Sequence, residues 1–333
     1  MMKEAYYYTK QPDQRVRCDL CPRHCILSHG QCGFCQQYRS LDSTLYSFHY
    51  GQVASMAIDP IEKKPLYHYH PGQKTLSIGS YGCNLTCSFC QNHDLSFGSG
   101  ETYPVTPEEI NKALDRYHVN HMAFTYNEPL IQYEFVKDTF QYLKQHTSCY
   151  TVLVTNGFIE ESPLLALLPY TDAMNIDWKG PASFYQTYCH GQLQPVQRAI
   201  SQAFRRCHIE ITYLVIPGCN DKDSDFIECR DFLTSLSPLI PVHLNRYFPA
   251  YKMKNPPTSA SVLNKARELM METMPYVYIG NIPIPSMSDT FCRHCHARLI
   301  KRENYDIYYI NMVEDRCQMC SEKTDIVLGE KAC

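Results

Sequence analysis

The sequence lacks the features that mark a membrane-spanning or secreted protein. No apolar run approaches the roughly 18 residues that predict a transmembrane helix. The first residues, Met1-Met2-Lys3-Glu4-Ala5-Tyr6, contain no apolar core of a signal peptide. The chain is therefore expected to be cytoplasmic and to have no membrane partner.

The sequence also lacks a strong charge of either sign. Its 31 Lys and Arg residues nearly balance 34 Asp and Glu residues, which gives a formal net charge of -3. Recognition of nucleic acid through its phosphates requires a basic surface, so nucleic acid is not expected as a partner. With 333 residues, 44% hydrophobic and 20% charged, the composition is typical of a globular protein with one large domain or two ordinary ones.

Cysteine is the residue that the chain has in excess. It contains 18, of which twelve fall in three tight groups. In a reducing cytosol such spacings indicate metal or redox chemistry rather than disulfides. So many thiols also favour an oxygen-poor, anaerobic habitat, a hypothesis that aerobic stability of the purified protein would contradict. The remaining six are interpreted mostly as inert packing residues: Cys149, Cys189, Cys207, Cys219, Cys229 and Cys333.

The central group, Cys83, Cys87 and Cys90, has a Cys-x3-Cys-x2-Cys spacing. An iron–sulfur cubane is ordinarily held by four thiolates, so three would leave one iron open to a small-molecule ligand. A structural zinc site or a set of buried thiols is the alternative, but a closed zinc site needs four ligands. The spacing therefore favours a cluster with one open coordination position.

The N-terminal group contains five cysteines within eighteen residues. Its segment is too short and too polar to be held together by a hydrophobic core, so we expect a metal to stabilise it. The predicted ligands could close a zinc site or hold an auxiliary iron–sulfur cluster, and zinc is preferred because the segment needs structural support. These ligands are Cys18, Cys21, Cys25 and Cys32.

The C-terminal group consists of two Cys-x-x-Cys pairs. Cys292 and Cys295 form the first pair, and Cys317 and Cys320 form the second. Two such pairs are typical of a four-thiolate zinc ribbon or of a rubredoxin-like iron site. This spacing indicates a metal strongly and a particular function only weakly.

Between the terminal groups, short apolar runs alternate with amphipathic stretches. Strands that alternate with helices predict parallel βα units, and six or seven such units predict an α/β fold with an open or partial TIM-like barrel. We expect this barrel at residues 46–285, between cysteine-rich metal-binding segments at 1–45 and 286–333, with both cysteine groups flanking its open end. The predicted strands are Leu76–Gly79, Met122–Thr125, Thr151–Val154, Ala173–Asp177, Ile209–Ile216, Val242–Leu244 and Val277–Ile279.

Most of the polar motifs follow these predicted strands. The central cysteine loop follows the first strand, and Tyr126-Asn127-Glu128-Pro129 follows the second. Thr155-Asn156-Gly157 and Asp177-Trp178-Lys179 follow later strands. Each motif alone is typical of an ordinary turn. Because chemistry in such barrels collects on the loops after the strands, their shared position predicts one functional site.

Taken together, the motifs resemble the radical S-adenosylmethionine (SAM) enzymes of the AmmeMemoRadiSam system, which are relatives of the pyruvate formate-lyase activating enzymes. The resemblance implies a radical SAM type of barrel and a [4Fe-4S] cluster whose open iron chelates SAM. It extends over nearly the whole chain. It rests on the N-terminal cysteines, Asp59–His68, Gly82–Asn92, Tyr126–Pro129, Tyr247–Tyr251, Val277–Asn281 and the C-terminal pairs.

The resemblance also implies the reaction. The enzyme would be oxidoreductase-like or activase-like and would cleave SAM reductively to a 5′-deoxyadenosyl radical. This radical would abstract hydrogen from an unidentified small-molecule or protein substrate. The electron would come from a low-potential donor such as flavodoxin or ferredoxin.

Site residues follow from the same resemblance. The three central cysteines would hold the cluster, and Phe89 would pack near the adenine of SAM. Glu128 stands where the Gly-Gly-Glu-Pro motif of the superfamily meets the methionine amino group. The other SAM-contacting segments of the activases are matched by Asn156, Asp177 and Lys179.

The chain departs from the family pattern at several positions. Tyr126-Asn127 replaces the two glycines of the acidic motif, and Val154 stands where the activases have an acidic residue for a monovalent cation. Glycines commonly follow the second cysteine of each C-terminal pair, since that turn favours a positive φ. Here those positions are His296 and Ser321. Relative to the family's N-terminal pattern, Cys35 is interpreted as an extra cysteine.

Two alternative functions stay open from the sequence. The chain could be an activating enzyme that installs a glycyl radical on a partner enzyme, which the genome neighbourhood would reveal. It could instead be a non-catalytic metal-binding or electron-transfer protein. SAM turnover by the purified protein would exclude the second alternative.

Overall fold

The computed structural model describes residues 2–329 and is built around an eight-stranded sheet whose strands follow one another in chain order. The first strand pairs antiparallel with the second, and the other six neighbouring pairs are parallel. Among the described residues the first and last strands are not paired, so the sheet is an open barrel. The strands are β1 (Ser55–Pro60), β2 (Lys74–Gly79), β3 (His121–Phe124), β4 (Tyr150–Thr155), β5 (Ala173–Asp177), β6 (His208–Val215), β7 (Val242–Arg246) and β8 (Val277–Gly280).

These strands confirm the predicted α/β class and its parallel βα units. They form where apolar, often β-branched runs are buried on both faces, as the burial of every residue of β3 illustrates. The observed bounds differ from the predicted ones by at most two residues. Several of the missed ends are polar, such as His121, His208 and Arg246.

Helices cover the outside of the sheet. The helix α1 (Pro107–Tyr117) begins with a capping box, because Thr106 Oγ1 accepts from the Glu109 N–H (3.3 Å) and Glu109 Oε2 accepts from the Thr106 N–H (2.8 Å). Shorter helical segments are His93–Phe97 and Ala182–Phe184, a π-helix at Tyr185–Cys189, and 3-10 turns at Ile61–Lys63, Pro129–Gln132 and Leu168–Tyr170. The longer helices are α1 (Pro107–Tyr117), α2 (Tyr133–His146), α3 (Glu161–Leu167), α4 (Leu193–Phe204), α5 (Asp223–Leu236) and α6 (Ala260–Met271). None of the helices among residues 2–329 combines the length and apolar character that crossing a bilayer requires.

The N-terminal segment folds into two small antiparallel sheets that are fixed to α2. Glu134 of α2 accepts from the Tyr6 N–H (2.9 Å) and from the Tyr38 hydroxyl (2.7 Å), and Lys3 pairs with Asp138. One short strand crosses the predicted boundary at residues 45 and 46. The strands are Lys3–Glu4, Tyr8–Lys10, Val16–Cys18, Ile26–Leu27, Tyr38–Leu41 and Thr44–Ser47, and Gln52–Val53 pairs separately with Tyr103–Pro104.

The C-terminal segment packs at the base of the barrel, where the parallel strands begin. Val327 bridges to Tyr69. The buried Arg302 guanidinium donates to the Tyr67 carbonyl (2.7 Å) and lies 3.8 Å from Glu62. The expectation that both cysteine groups flank the open end is therefore wrong for this group. The strands are Thr290–Phe291, Arg298–Glu303, Asp306–Ile310, Met312–Val313 and Arg316–Cys317.

A few residues named in the sequence predictions lie outside the described range. They are Met1, which belongs to the predicted 1–45 segment, and residues 330–333 of the predicted 286–333 segment, Cys333 among them.

Candidate functional site

The strand-end motifs meet in one cavity of about 500 Å³ at the carboxyl ends of the parallel strands. This meeting follows from the topology, since adjacent parallel strands end at the same edge of a barrel. The structure therefore places the residues predicted for the cluster and for SAM side by side, while their binding roles stay predictions. The lining includes Cys83, Cys87, Phe89, Cys90, Glu128, Asn156, Asp177 and Lys179.

The loop that carries the central cysteines is hydrogen-bonded to the π-helix Tyr185–Cys189. The Thr86 N–H donates to the Cys189 carbonyl (3.1 Å), and the Ser88 N–H donates to the Tyr188 carbonyl (2.9 Å). π-helical turns occur frequently at functional sites. Gly82 starts the loop with a φ of +101°, and a Cβ there would lie 2.7 Å from the Cys35 carbonyl. The loop path thus requires glycine at this position.

The three thiols line the cavity, and Cys83 among them accepts two hydrogen bonds. Cys83 Sγ accepts from the Leu85 N–H (3.4 Å) and from Asn156 Nδ2 (3.6 Å). Burial holds the pKa of Cys83 well above its ordinary value. Contact with Cys189, together with burial, does the same for the pKa of Cys87. Cys189 is a fully buried thiol that the sequence analysis treated as inert.

Glu128 is a buried carboxylate held by three donors. Its Oε1 accepts from the Thr155 hydroxyl (2.7 Å) and the Leu130 N–H (3.0 Å), and its Oε2 accepts from the Asn156 N–H (2.7 Å). Burial raises the pKa of Glu128 to about 7, although these hydrogen bonds oppose the shift. A cation that arrived in the cavity would stabilise the ionised form.

Lys179 supplies the opposite charge. Its Nζ pairs with Asp177 Oδ2 at 2.7 Å, and its side chain is 14% exposed. Burial alone would lower the pKa of Lys179, but the Asp177 carboxylate holds it well above its ordinary value. The cavity is therefore lined by the Lys179 ammonium group and by the Glu128 carboxyl group, which come from two different strand-end motifs.

Tyr126-Asn127 replaces two glycines of the family's motif, yet the backbone at Tyr126 keeps a left-handed conformation that favours glycine. Tyr126 adopts a φ of +73°, which is uncommon for a residue with a side chain. Its hydroxyl donates to Asp59 Oδ2 (2.5 Å). Asn127 joins this loop to the cysteine loop, because its Oδ1 accepts from the Ser80 N–H (3.0 Å) and its Nδ2 donates to the Gly82 carbonyl (3.0 Å).

Several further residues line the cavity that received no role from the sequence. Lys63 and Lys64 both pair with Asp59, at 2.8 and 2.7 Å. Burial lowers the pKa of Lys64 to about 8. Asn245 and Asn281 reach the cavity from the last two strands. The sequence signal that could have placed Lys63 and Lys64 at the site is their adjacent position within the motif Asp59–His68.

The four C-terminal thiols come together as the spacing predicts. All four sulfurs lie within 4.8 Å of one another. Cys292 and Cys320 are 3.8 Å apart, and Cys295 and Cys317 are 3.7 Å apart. His296 and Ser321 have φ values of 59° and 60°, so the turns keep the left-handed conformation without glycine.

The N-terminal cavity is lined by a different fourth cysteine from the one that the spacing predicts as a ligand, and the ligand set itself stays a prediction. Cys18, Cys21 and Cys25 line a small cavity together with Cys35, and Cys32 is not among its lining residues. The Cys32 sulfur instead accepts from Arg39 Nε (3.2 Å). The physical reason is a tight turn at residues 33–36, closed by the Gln36 N–H on the Gly33 carbonyl (2.9 Å), which follows Cys32 and directs Cys35 inward.

Comparison with known proteins assigns the fold to a family. Residues 77–232 match the model of the radical SAM superfamily. The chain is also 41% identical over 336 residues to "Uncharacterized protein MJ0808" of Methanocaldococcus jannaschii, across 98% of this chain and 100% of that protein. The chain therefore contains a radical SAM superfamily domain.

Solved structures give a more distant likeness, in fold alone. Streptococcus suis SuiB bound to its precursor peptide SuiA has a TM-score of 0.50 at 14% identity, over 66% of this chain and 51% of SuiB. A domain of pyruvate-formate lyase-activating enzyme from Bacteroides vulgatus has a TM-score of 0.42 at 20% identity, over 48% of this chain and 98% of that domain.

Proposed function

We propose that the chain is the radical SAM enzyme of the AmmeMemoRadiSam system and that it cleaves SAM reductively at a [4Fe-4S] cluster. One observation carries the proposal: three thiols, the buried Glu128 carboxyl and the Asp177–Lys179 pair line the same cavity. When bound, the cluster and SAM would supply a 5′-deoxyadenosyl radical that abstracts hydrogen from a small-molecule or protein substrate.

The residues around the cavity fit this pair of ligands. Among residues 2–329, Cys83, Cys87 and Cys90 do not form a set of sulfurs within 4.8 Å of one another, unlike the C-terminal thiols. Three separated thiols suit the corners of a cubane better than one ion, and they leave one iron for SAM. The amide donors on Cys83 Sγ suit a thiolate ligand as well.

The protein's own contribution is orientation and charge. Glu128, fixed by its three donors, would receive the methionine ammonium group, and Lys179 would face the methionine carboxylate. Asn156 links the two halves of the site, since its Nδ2 donates to Asn84 Oδ1 (2.9 Å) beside the cysteine loop. Phe89 is 4% exposed and would offer an apolar face to the adenine. Such fixed groups lower the entropic cost of reaching a reactive geometry.

A low-potential electron donor such as flavodoxin or ferredoxin would reduce the cluster. The three-part division at 1–45, 46–285 and 286–333 is retained, with the middle part supplying all of the SAM contacts.

The test is anaerobic SAM cleavage by reconstituted full-length protein with dithionite. The parent should release 5′-deoxyadenosine and methionine, and Cys87→Ala should abolish the release. The control is Cys229→Ala, since Cys229 is buried in α5 and does not line the cavity. This variant should cleave SAM at the parent rate. Cleavage by Cys87→Ala at the parent rate would show that the cluster assignment is wrong.

The SAM contacts have a separate readout in binding. Glu128→Ala and Lys179→Ala should each lose a charge-assisted contact, on the order of 1.5–3 kcal/mol or roughly tenfold or more in affinity. The iron–sulfur absorption should be unchanged, and the exposed Lys265→Ala should bind SAM as the parent does. Unchanged affinity in both cavity variants would contradict the assignment of these contacts.

A further inference from the structure

The N-terminal segment encloses a second cavity with four thiols in its wall. Cys18, Cys21, Cys25 and Cys35 line it, and Leu20, Phe34, Tyr38 and Ile131 supply apolar side chains around them. We call these four cysteines and their enclosure the N-terminal pocket. The pocket lies outside the cavity that holds the predicted SAM contacts.

The distances between sulfurs separate a single-ion site from a cluster site. A tetrahedral ion with metal–sulfur bonds of about 2.3 Å places its sulfurs about 3.8 Å apart. The C-terminal thiols meet that value, at 3.7 and 3.8 Å. Among residues 2–329, the C-terminal thiols form a group close enough together to hold one ion, whereas the N-terminal pocket's thiols do not form such a group. Thiols on the separate irons of a cubane stand farther apart than thiols on one ion.

The backbone of the pocket faces its sulfurs with amide hydrogens. The Phe34 N–H donates to Cys25 Sγ at 3.5 Å. The Leu20 N–H faces the Cys18 sulfur, and the Arg23 N–H faces the Cys21 sulfur. Hydrogen bonds of this kind stabilise cluster thiolates and adjust reduction potentials. The pocket thus provides both the ligands and their surrounding donors.

Arg23 also lines the N-terminal pocket and links it to the central cysteine loop. The Arg23 guanidinium lies 3.5 Å from the centre of the Phe34 ring. It donates to the carbonyls of Asn84 and His190. Asn84 lines the pocket and directly follows Cys83. The positive charge faces thiols of both groups, where it would offset the negative charge of thiolate ligands.

We propose that Cys18, Cys21, Cys25 and Cys35 hold a second [4Fe-4S] cluster and that Cys32 is not a ligand. This assignment concerns a cofactor site of the N-terminal pocket and does not depend on SAM cleavage. It replaces the zinc ion preferred from the sequence for this group, whereas a single ion is retained for the C-terminal group.

The test is a count of iron and acid-labile sulfide in full-length protein reconstituted without oxygen. The parent should contain about eight of each per chain, and the triple variant Cys83→Ala/Cys87→Ala/Cys90→Ala should keep about four sulfides. Sulfide is decisive because an iron ion in the C-terminal group would bring none. A triple variant without sulfide, or with zinc in its N-terminal pocket, would overturn the proposal.

A matched pair of single variants tests the ligand set in otherwise intact protein. Cys35→Ser should reduce the sulfide count from about eight to about four, and Cys32→Ser should leave it at about eight. The electron paramagnetic resonance spectrum after dithionite reduction should lose one of two signals in Cys35→Ser only. The reverse result, loss in Cys32→Ser and retention in Cys35→Ser, would show that the wrong cysteine was assigned.

Discussion

The N-terminal pocket and the C-terminal cysteine group each gather four thiols, but their sulfurs are arranged differently. The C-terminal thiols sit within 4.8 Å of one another at the base of the barrel. The pocket's thiols surround a cavity beside the central cysteine loop, at the opposite end. Cysteine spacing in a sequence therefore predicts that thiols gather, while the local turn and the docking surface determine how far apart their sulfurs lie and at which end of the barrel.

The largest expected effect is the loss of structure in the C-terminal segment when one of its four thiols is removed. The C-terminal segment has a small core, of which Cys292 and Cys317 are themselves members. A structural ion contributes on the order of 10 kcal/mol to such a fold. Cys317→Ser should therefore release the ion and raise amide hydrogen exchange across residues 290–317 to nearly unfolded rates, measured by mass spectrometry.

Cys18→Ser is the matched control for that prediction. It should leave exchange in residues 290–317 unchanged, because the pocket is anchored separately on Glu134 of α2. Equal exchange in Cys317→Ser and the parent would show that the C-terminal ion is dispensable.

The second effect concerns how the C-terminal segment is attached. Arg302 and Glu62 are fully buried and 3.8 Å apart. Removal of one partner of a buried pair typically costs about 3–5 kcal/mol, so Arg302→Met should lower the free energy of unfolding in urea by that amount. Adding Glu62→Gln should recover part of the loss. Lys323→Met, at an ion pair with Asp315 whose side chains are 71% and 47% exposed, should cost less than about 1 kcal/mol.

The third effect is a pH dependence confined to the base of the barrel. His68 is buried, with its Nε2 2.6 Å from the Tyr278 hydroxyl and its Nδ1 3.0 Å from the Asp325 carbonyl. Burial lowers the pKa of His68 to about 4, although the Glu210 carboxylate opposes the shift, and His208 and Arg302 add to it. Its folded-state pKa is thus below the unfolded value near 6.5, so the folded state resists protonation.

The sign of the effect follows from that difference. The stability contributed by His68 is fully present above about pH 6.5 and is lost as the pH falls towards the folded-state pKa. Between pH 7 and pH 5 the loss from His68 is about 2 kcal/mol. Urea unfolding of the parent and of His68→Gln at both values measures it by difference, since the buried His70 and His121 also have lowered pKa values. His68→Gln should show a correspondingly smaller loss. An equal loss in parent and variant would assign the acid sensitivity to other groups.

The smallest effect concerns the two C-terminal turns. His296 holds a φ of 59° and Ser321 a φ of 60°, where a side chain costs about 1 kcal/mol or more relative to glycine. His296→Gly should therefore raise the melting temperature slightly and slow metal loss to a chelator. His294→Gly makes the same chemical change two residues earlier, outside the left-handed region, and should lower the melting temperature. The opposite order would show that these turns carry no strain.

Most of the barrel was predictable because its strands are apolar runs buried on both faces. The strand β5 agrees with its prediction at both ends, at Ala173 and Asp177. The strand-end residues were found for the same reason, since parallel strands must end together. The strands and the strand-end residues were predictable because both depend on the local hydrophobic pattern and on the parallel topology that this pattern implies.

The differences between prediction and structure arise from contacts that are distant in sequence or from single turns. The turn after Cys32 places Cys35 rather than Cys32 at the N-terminal cavity, and spacing alone does not reveal it. The position of the C-terminal segment depends on Arg302 reaching Tyr67, 235 residues away. The contact of Cys189 with Cys87 likewise needed the π-helix, which no periodic pattern in the sequence indicated.

The anchoring of the N-terminal segment on α2 has a consequence for how the chain is made. Tyr38 and Tyr6 bond Glu134 across 96 and 128 residues, and Lys3 meets Asp138 across 135. Contacts of such long range form late, because the intervening chain must be ordered first. During synthesis the first cysteines therefore leave the ribosome well before their supporting helix, with their thiols uncovered. If the N-terminal pocket holds the proposed cluster, iron and sulfide would be delivered to it after α2 has been translated.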